Sequence, residues 1–144
     1  MSLAVDVFLR DADGKITFPG EGPGSSLAAG FESWRTEVWA SSLVRSLGAG
    51  FFPQLATGDL YVEPDHVHRF QRECAMLREH VDAIASGVDL SSQKRHRAVD
   101  LASGQIFDPS ASHEVLREQI LLRLANIEDV ARRALEADGG VVIW

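Results

Sequence analysis

Five histidines, one cysteine and a few short acidic or glycine-rich loops are the residues of this 144-residue chain that could do chemistry. Asp65-His66-Val67-His68, with His80 beyond it, invites a metal site. On a helix, however, His66 and His68 point about 200° apart, so one ion cannot take both. No His-Glu-x-x-His is present. Cys74 is the sole cysteine, which excludes an intramolecular disulfide and a two-cysteine metal site. Nucleophilic catalysis needs a base beside a Ser, Cys or Thr. There is no Gly-x-Ser-x-Gly elbow. Ser103-Gly104 falls in an expected turn, and no local pattern joins Cys74 to His113. Asp11-Ala12-Asp13-Gly14 opens like a calcium loop but lacks the third acidic ligand and the closing glutamate, so it reads as a turn. Pro19 to Ser26 (PGEGPGSS) is rich in glycine, yet no Gly-Lys-Ser/Thr follows. Pro23 removes an N–H donor and Glu21 would repel an anion, so this loop reads as a flexible connection rather than a phosphate cradle. No cofactor motif remains.

The elements that would carry these residues can be read from periodicity. Leu3 to Arg10 alternates, with Val5, Val7 and Leu9 on one side and Ala4, Asp6 and Phe8 on the other. It reads as a strand that returns through the Asp11–Gly14 turn as Lys15 to Phe18, making a hairpin. Leu27, Phe31, Trp34 and Val38 recur at helical spacing, and Trp39, Leu43 and Leu47 continue the face. This predicts a helix of about 22 residues, capped by Ser25 or Ser26 and ending at Gly48. Trp34 and Trp39 are expected in the core, with Trp39 at the margin of the stripe, where its N–H can reach water or a partner.

Ala49 to Gly58 cannot be regular helix, because Pro53 forbids it and glycines bracket it. Phe51, Phe52 and Leu55 must therefore pin this connection to the core. Gly58-Asp59 is a turn and Leu60-Tyr61-Val62 a short extended piece. Glu63-Pro64-Asp65 opens a helix that ends near Gly87, since proline suits the first helical position and acids the first turn. Along it Val67, Phe70, Cys74, Leu77, Val81 and Ile84 form a strict apolar seam, which makes Cys74 a small buried hydrophobe. The opposite face is charged. Arg69, Arg72 and Arg78 lie there among Glu73, Glu79 and Asp82, a pattern that reads as a solvated face.

Val88 to His96 is a polar loop. Ala98–Leu101 and Gln105–Phe107 predict a second hairpin around Ala102-Ser103-Gly104. After the Asp108-Pro109-Ser110 break, Leu116, Ile120, Leu124, Ile127, Ala131 and Ala134 line a helix from about Ser112 to Asp138, in which Asn126 is a candidate kink. Gly139-Gly140 ends it, and Val141 to Trp144 is an apolar terminal strand expected to pair inside the sheet. The order of elements predicts one domain over residues 1–144. Its class is α+β, a two-layer α/β sandwich with a mixed sheet of about five strands and three main helices.

The formal charge is −7. Met1 to His66 holds 9 acidic and 4 basic residues, Val67 to Arg97 holds 4 and 6, and Ala98 to Trp144 holds 8 and 4. Two acidic ends around a mildly basic centre argue against nucleic acid as a partner and fit a basic protein. No stretch approaches the roughly 20 apolar residues of a membrane span. The N-terminus lacks a signal-peptide pattern, and a single thiol fits the cytoplasm.

From Leu43 onward the order of features resembles a small bacterial immunity-protein family of polymorphic-toxin and contact-dependent competition systems. The matching residues are Gly50, Phe52, Pro53, Leu55, Gly58, Leu60 and Tyr61, then Glu73, Leu77, Ile84 and the end Ala134 to Trp144. Val88 to Ser112 departs from the pattern. The resemblance implies a non-catalytic, cofactor-free protein that binds and blocks a cognate toxin. Near the start of the central helix, Asp59, Tyr61, Glu63 and Asp65 gather one aromatic and three acids beside a turn, which makes them the expected partner-binding residues. Two other readings stay open. One is a small hydrolase with a site around His66, His80 or His113. The other is a homodimeric structural or regulatory module.

Overall fold

The computed structural model describes residues 2–19, 27–93, 98–99 and 106–144. Strand β1 (Ser2–Arg10) is its spine. As its alternation requires, Leu3 and Val5 enter the main core, while Asp6 and Phe8 face the other way. The turn predicted at Asp11–Gly14 closes the hairpin to β2 (Ile16–Thr17). Asp11 Oδ1 accepts from the Asp13 and Lys15 N–H groups, and Gly14 takes a φ of 80°. Strand β7 (Gly140–Ile143) pairs with the other edge of β1, and β4 (Leu60–Val62) pairs with β7. A further strand, β3 (Leu27–Phe31), pairs with the first half of β1, on the side that β2 takes further along. The result is an α+β fold with an open five-stranded sheet, as expected in class and strand number. Every described pairing is antiparallel, where a mixed sheet was expected.

Helices cover one face of that sheet. The seam runs through α2 (Val67–Glu79) and α3 (Val81–Ser86), and all six of its residues are buried. It is not one helix. His80 breaks it with φ −107° and ψ 14°, while its ring Nδ1 lies 2.9 Å from the Met76 carbonyl oxygen. The longest helix, α4 (His113–Glu136), is capped by Ser112, whose hydroxyl accepts from the Val115 N–H. It packs on β1, β3, β7, α2 and α3. Asn126 does not break α4; its amide instead donates to the Ala28 carbonyl at 2.9 Å.

The larger correction lies between Leu27 and Gly48. The helical spacing there is real, but its first five residues form β3. Gly30 has a φ of 120°, and an added Cβ would lie 2.4 Å from the Trp34 ring. Only glycine fits that backbone and that contact, and it ends any helix running through it. A π-helical turn (Arg35–Trp39) and a short helix α1 (Ser42–Ser46) follow, closed by Gly48 at φ 88°. Trp34 and Trp39 are both fully buried, so Trp39 does not sit at a margin; its N–H donates to the Ala29 carbonyl at 2.9 Å. The expected cap at Ser25 or Ser26 lies outside the described residues, as does most of the Pro19–Ser26 loop. The second hairpin is present as β5 (Ala98–Val99) paired with β6 (Ile106–Phe107), a separate two-stranded unit; its turn lies outside the described residues.

Candidate functional site

The connection Ala49–Gly58 is pinned to the core as its apolar residues require. Phe52 stacks on Phe70 at 5.3 Å and leans on Trp39 at 5.0 Å. A second restraint was not visible in the sequence. Glu73, only 8% exposed, turns back from α2 and accepts hydrogen bonds from the N–H groups of Gly50, Phe51 and Phe52 at 2.6, 3.0 and 2.9 Å. These are the free N–H groups at the start of the 3-10 turn Phe52–Ala56. A carboxylate placed there satisfies donors that burial would otherwise leave unpaired. The sequence reading had Glu73 on the solvated face; its three backbone donors explain why it is buried.

This latch positions β4. After the 3-10 turn, Arg35 clamps the Gly58-Asp59 corner, donating to the Gly58 carbonyl at 2.7 Å and to Asp59 Oδ1 at 2.9 Å. Leu60 and Val62 then enter the core, so alternation turns Tyr61 to the face of the sheet opposite the described helices. There Tyr61 is 42% exposed. Register aligns it with Val142 on β7 and, across β7, with Asp6 on β1.

That opposite face draws on β1, β4, β7 and the residues that follow β2 and β7. Phe8 on β1 lies opposite Gly140, and a Cβ at Gly140 would come within 2.5 Å of its ring. The missing side chain therefore leaves a trough that the Phe8 ring fills. Tyr61 meets this ring edge-on at 5.7 Å, and the Arg10 guanidinium lies over it at 5.5 Å. Arg10 then reaches Glu63, with Nη2 to Oε1 at 2.6 Å and Nε to Oε2 at 3.0 Å. These hydrogen bonds from Arg10 hold the Glu63 carboxyl below the usual carboxylate range. At the other end of the face, Trp144 is 43% exposed, stacks on Phe18 of the β2 side at 5.2 Å, and donates its indole N–H to Asp6 at 3.0 Å.

Of the four residues singled out in the sequence, Tyr61 is the partly exposed aromatic. Asp59 and Glu63 are not free acids, since each is held by an arginine. Asp65 is exposed in the 3-10 turn Pro64–His66. The sequence reading missed Trp144, Phe18 and Arg10. The alternation of Val141 to Trp144 puts Val142 and Trp144 on one side, but nothing local says that Trp144 stays partly exposed there.

The other candidates do not converge. Cys74 is fully buried, and burial pushes its thiol well above the ordinary range, which makes it a poor nucleophile. His113 turns its Nε2 to the Val88 carbonyl at 3.0 Å. Among the described residues no three His, Cys, Asp or Glu side chains gather as metal ligands, and no helix is long and apolar enough to cross a membrane. Three surface cavities, of about 230, 470 and 300 Å³, have no histidine in their walls. Comparison with known protein families, curated proteins and solved structures finds no match.

Proposed function

We propose that the chain is an immunity-type protein that binds a cognate bacterial toxin and neutralises it by occlusion, without catalysis or cofactor, in the cytoplasm. The observation that carries this reading is the exposed Tyr61, braced edge-on by Phe8 on the side of the sheet opposite the described helices. A tyrosine fixed at low entropy is the kind of residue that anchors protein interfaces. The stretch that bears the resemblance supports the reading. Gly50, Phe52, Pro53, Leu55, Gly58 and Leu60 are the residues that build the latched connection into β4 and so present Tyr61. The charge of −7 suits a basic toxin.

The test is to identify the proteins encoded beside this chain and to co-express the full chain with any secreted polypeptide among them that arrests growth; the absence of such a neighbour would itself count against the proposal. The expected outcome is a stable complex and relief of that polypeptide's toxicity. Growth arrest that persists while both proteins are folded and present would overturn the proposal. Within the complex, Tyr61→Ala should weaken binding by about tenfold or more, the loss typical of a buried aromatic anchor.

A further inference from the structure

We propose that the recess between α2 and the turn at residues 48–51 is a binding site for a small aromatic monocarboxylate, held by Arg69 and Arg72. The site goes beyond the partner-binding reading and does not rest on it.

Most of the described arginines are already paired. Arg10, Arg35, Arg78, Arg117, Arg132 and Arg133 each meet a carboxylate. Among the described residues Arg69 and Arg72 meet none, in a chain whose 21 acids outnumber its 14 lysines and arginines. The sequence pattern set Glu73, Glu79 and Asp82 around them as a solvated, mutually neutralising face. The structure commits two of those acids elsewhere: Asp82 takes Arg117, and Glu73 takes three backbone N–H groups. Glu79 lies about two turns past Arg72 and Asp65 about one turn before Arg69, and neither pairs with them.

Both unpaired arginines line a cavity of about 300 Å³, the lower end of the range for small-molecule sites. Three residues apart on α2, they stand on neighbouring turns of one face, with about 5–6 Å between their Cβ atoms, so both guanidinium forks can reach one anion. Gly48 and Gly50 form another wall. A Cβ at either would meet nothing within 4 Å, and both glycines and both arginines are exposed, so the recess opens to solvent.

The remaining walls select the occupant. Phe51 and Met76, both half-buried, give the recess an apolar side, and the Phe51 ring is fixed edge-on against Phe70 at 5.6 Å. A ring and a thioether suit an aromatic body. The walls also include Glu73, whose oxygens are turned to the N–H groups of Gly50, Phe51 and Phe52. Two guanidinium groups against one carboxylate leave a single positive charge. A monoanion neutralises it, whereas a dianion such as a phosphate monoester would leave negative charge in excess beside Glu73. Size, apolar side and charge together describe an aromatic monocarboxylate, its head group forked by Arg69 and Arg72 and its ring against Phe51 and Met76.

Phenylacetate is the probe. Added to the full chain, it should move the backbone amide resonances of Gly48, Gly50 and Phe51 saturably. The indole N–H resonances of Trp34 and Trp39, bound in the core to Gln93 and the Ala29 carbonyl, should stay in place and serve as the check on folding. Acetate lacks the ring and phenylacetamide lacks the charge, so each should bind about tenfold more weakly or worse. Phenyl phosphate should also bind more weakly than phenylacetate. Arg69→Ala and Arg72→Ala should each reduce phenylacetate affinity about tenfold, the change expected when a charge-assisted hydrogen bond is lost. Amides that do not move saturably, or unchanged affinity in either folded arginine variant, would overturn the proposal. Acetate or phenylacetamide binding as tightly as phenylacetate would do the same, and so would phenyl phosphate binding more tightly.

Discussion

Two glutamates ten residues apart show how differently the two sides of this sheet are organised. Glu73 lies on α2, almost wholly buried, and commits its carboxylate to three backbone N–H groups of the connection into β4. Glu63 lies on the opposite side and bridges β4 to β1 through Arg10, with both partners in reach of water. The first is a local folding restraint whose loss leaves buried donors without acceptors. The second is a surface pair of the sort that adds little stability but fixes geometry. The aromatic residues divide less sharply. Trp34, Trp39, Phe52 and Phe70 are fully buried on the inner side; on the outer side Phe8 is buried too, while Tyr61 and Trp144 remain almost half exposed.

The contrast can be broken from the inside first. Phe52→Ala should cost about 4 kcal/mol, because the ring fills the space between Trp39 and Phe70, and urea unfolding would read the loss directly. Glu73→Gln comes next, at about 2 kcal/mol, since an amide offers one acceptor oxygen where the carboxylate served three donors from two. If Glu73→Gln unfolds at the same urea concentration as the parent chain, the latch is not a restraint. On the outer face the effects should be smaller. Tyr61→Ala should cost about 1 kcal/mol, the worth of its edge contact with Phe8, so a loss as large as that of Phe52→Ala would erase the distinction between the two sides.

The smallest effect is one of pH. Hydrogen bonds from Arg10 depress the Glu63 carboxyl in the folded chain. The stability this pair contributes is present above the unfolded carboxylate value of about 4.3 and fades as pH falls through the lowered folded value. The gap in urea midpoint between the parent chain and Glu63→Gln should accordingly narrow from neutral pH to about pH 3. A gap that widens on acidification would reverse the sign of the argument.

Local pattern made much of the inner side legible. The seam from Val67 to Ile84 is buried in full because 3-4 spacing leaves no other face for it, and it survives the break at His80 because the phase carries through. The Asp11–Gly14 turn and the helix after Ser112 were equally plain, since their turn and cap chemistry lies within a few residues. The outer side was only half legible. Tyr61 could be picked out as an exposed aromatic beside acids, but Asp59 and Glu63 could not be recognised as paired. Their arginines stand 24 and 53 residues away along the chain.

What the sequence determined by itself is the set of short-range commitments: the hairpin, the apolar seam, the capped helix α4 and an apolar terminal strand. Each follows from residues within a turn or two of one another. The tertiary structure decided three further things. It made Leu27–Phe31 a strand rather than a helix, because the first half of β1 offers it a free edge and Gly30 alone can take the backbone that follows. It buried Glu73, because the N–H groups of Gly50 to Phe52 needed an acceptor. It also brought Phe8 and Phe18 of the first hairpin together with Tyr61 of β4 and the terminal Trp144. Which face of a strand stays uncovered depends on where the helices pack, and no window of sequence contains that information.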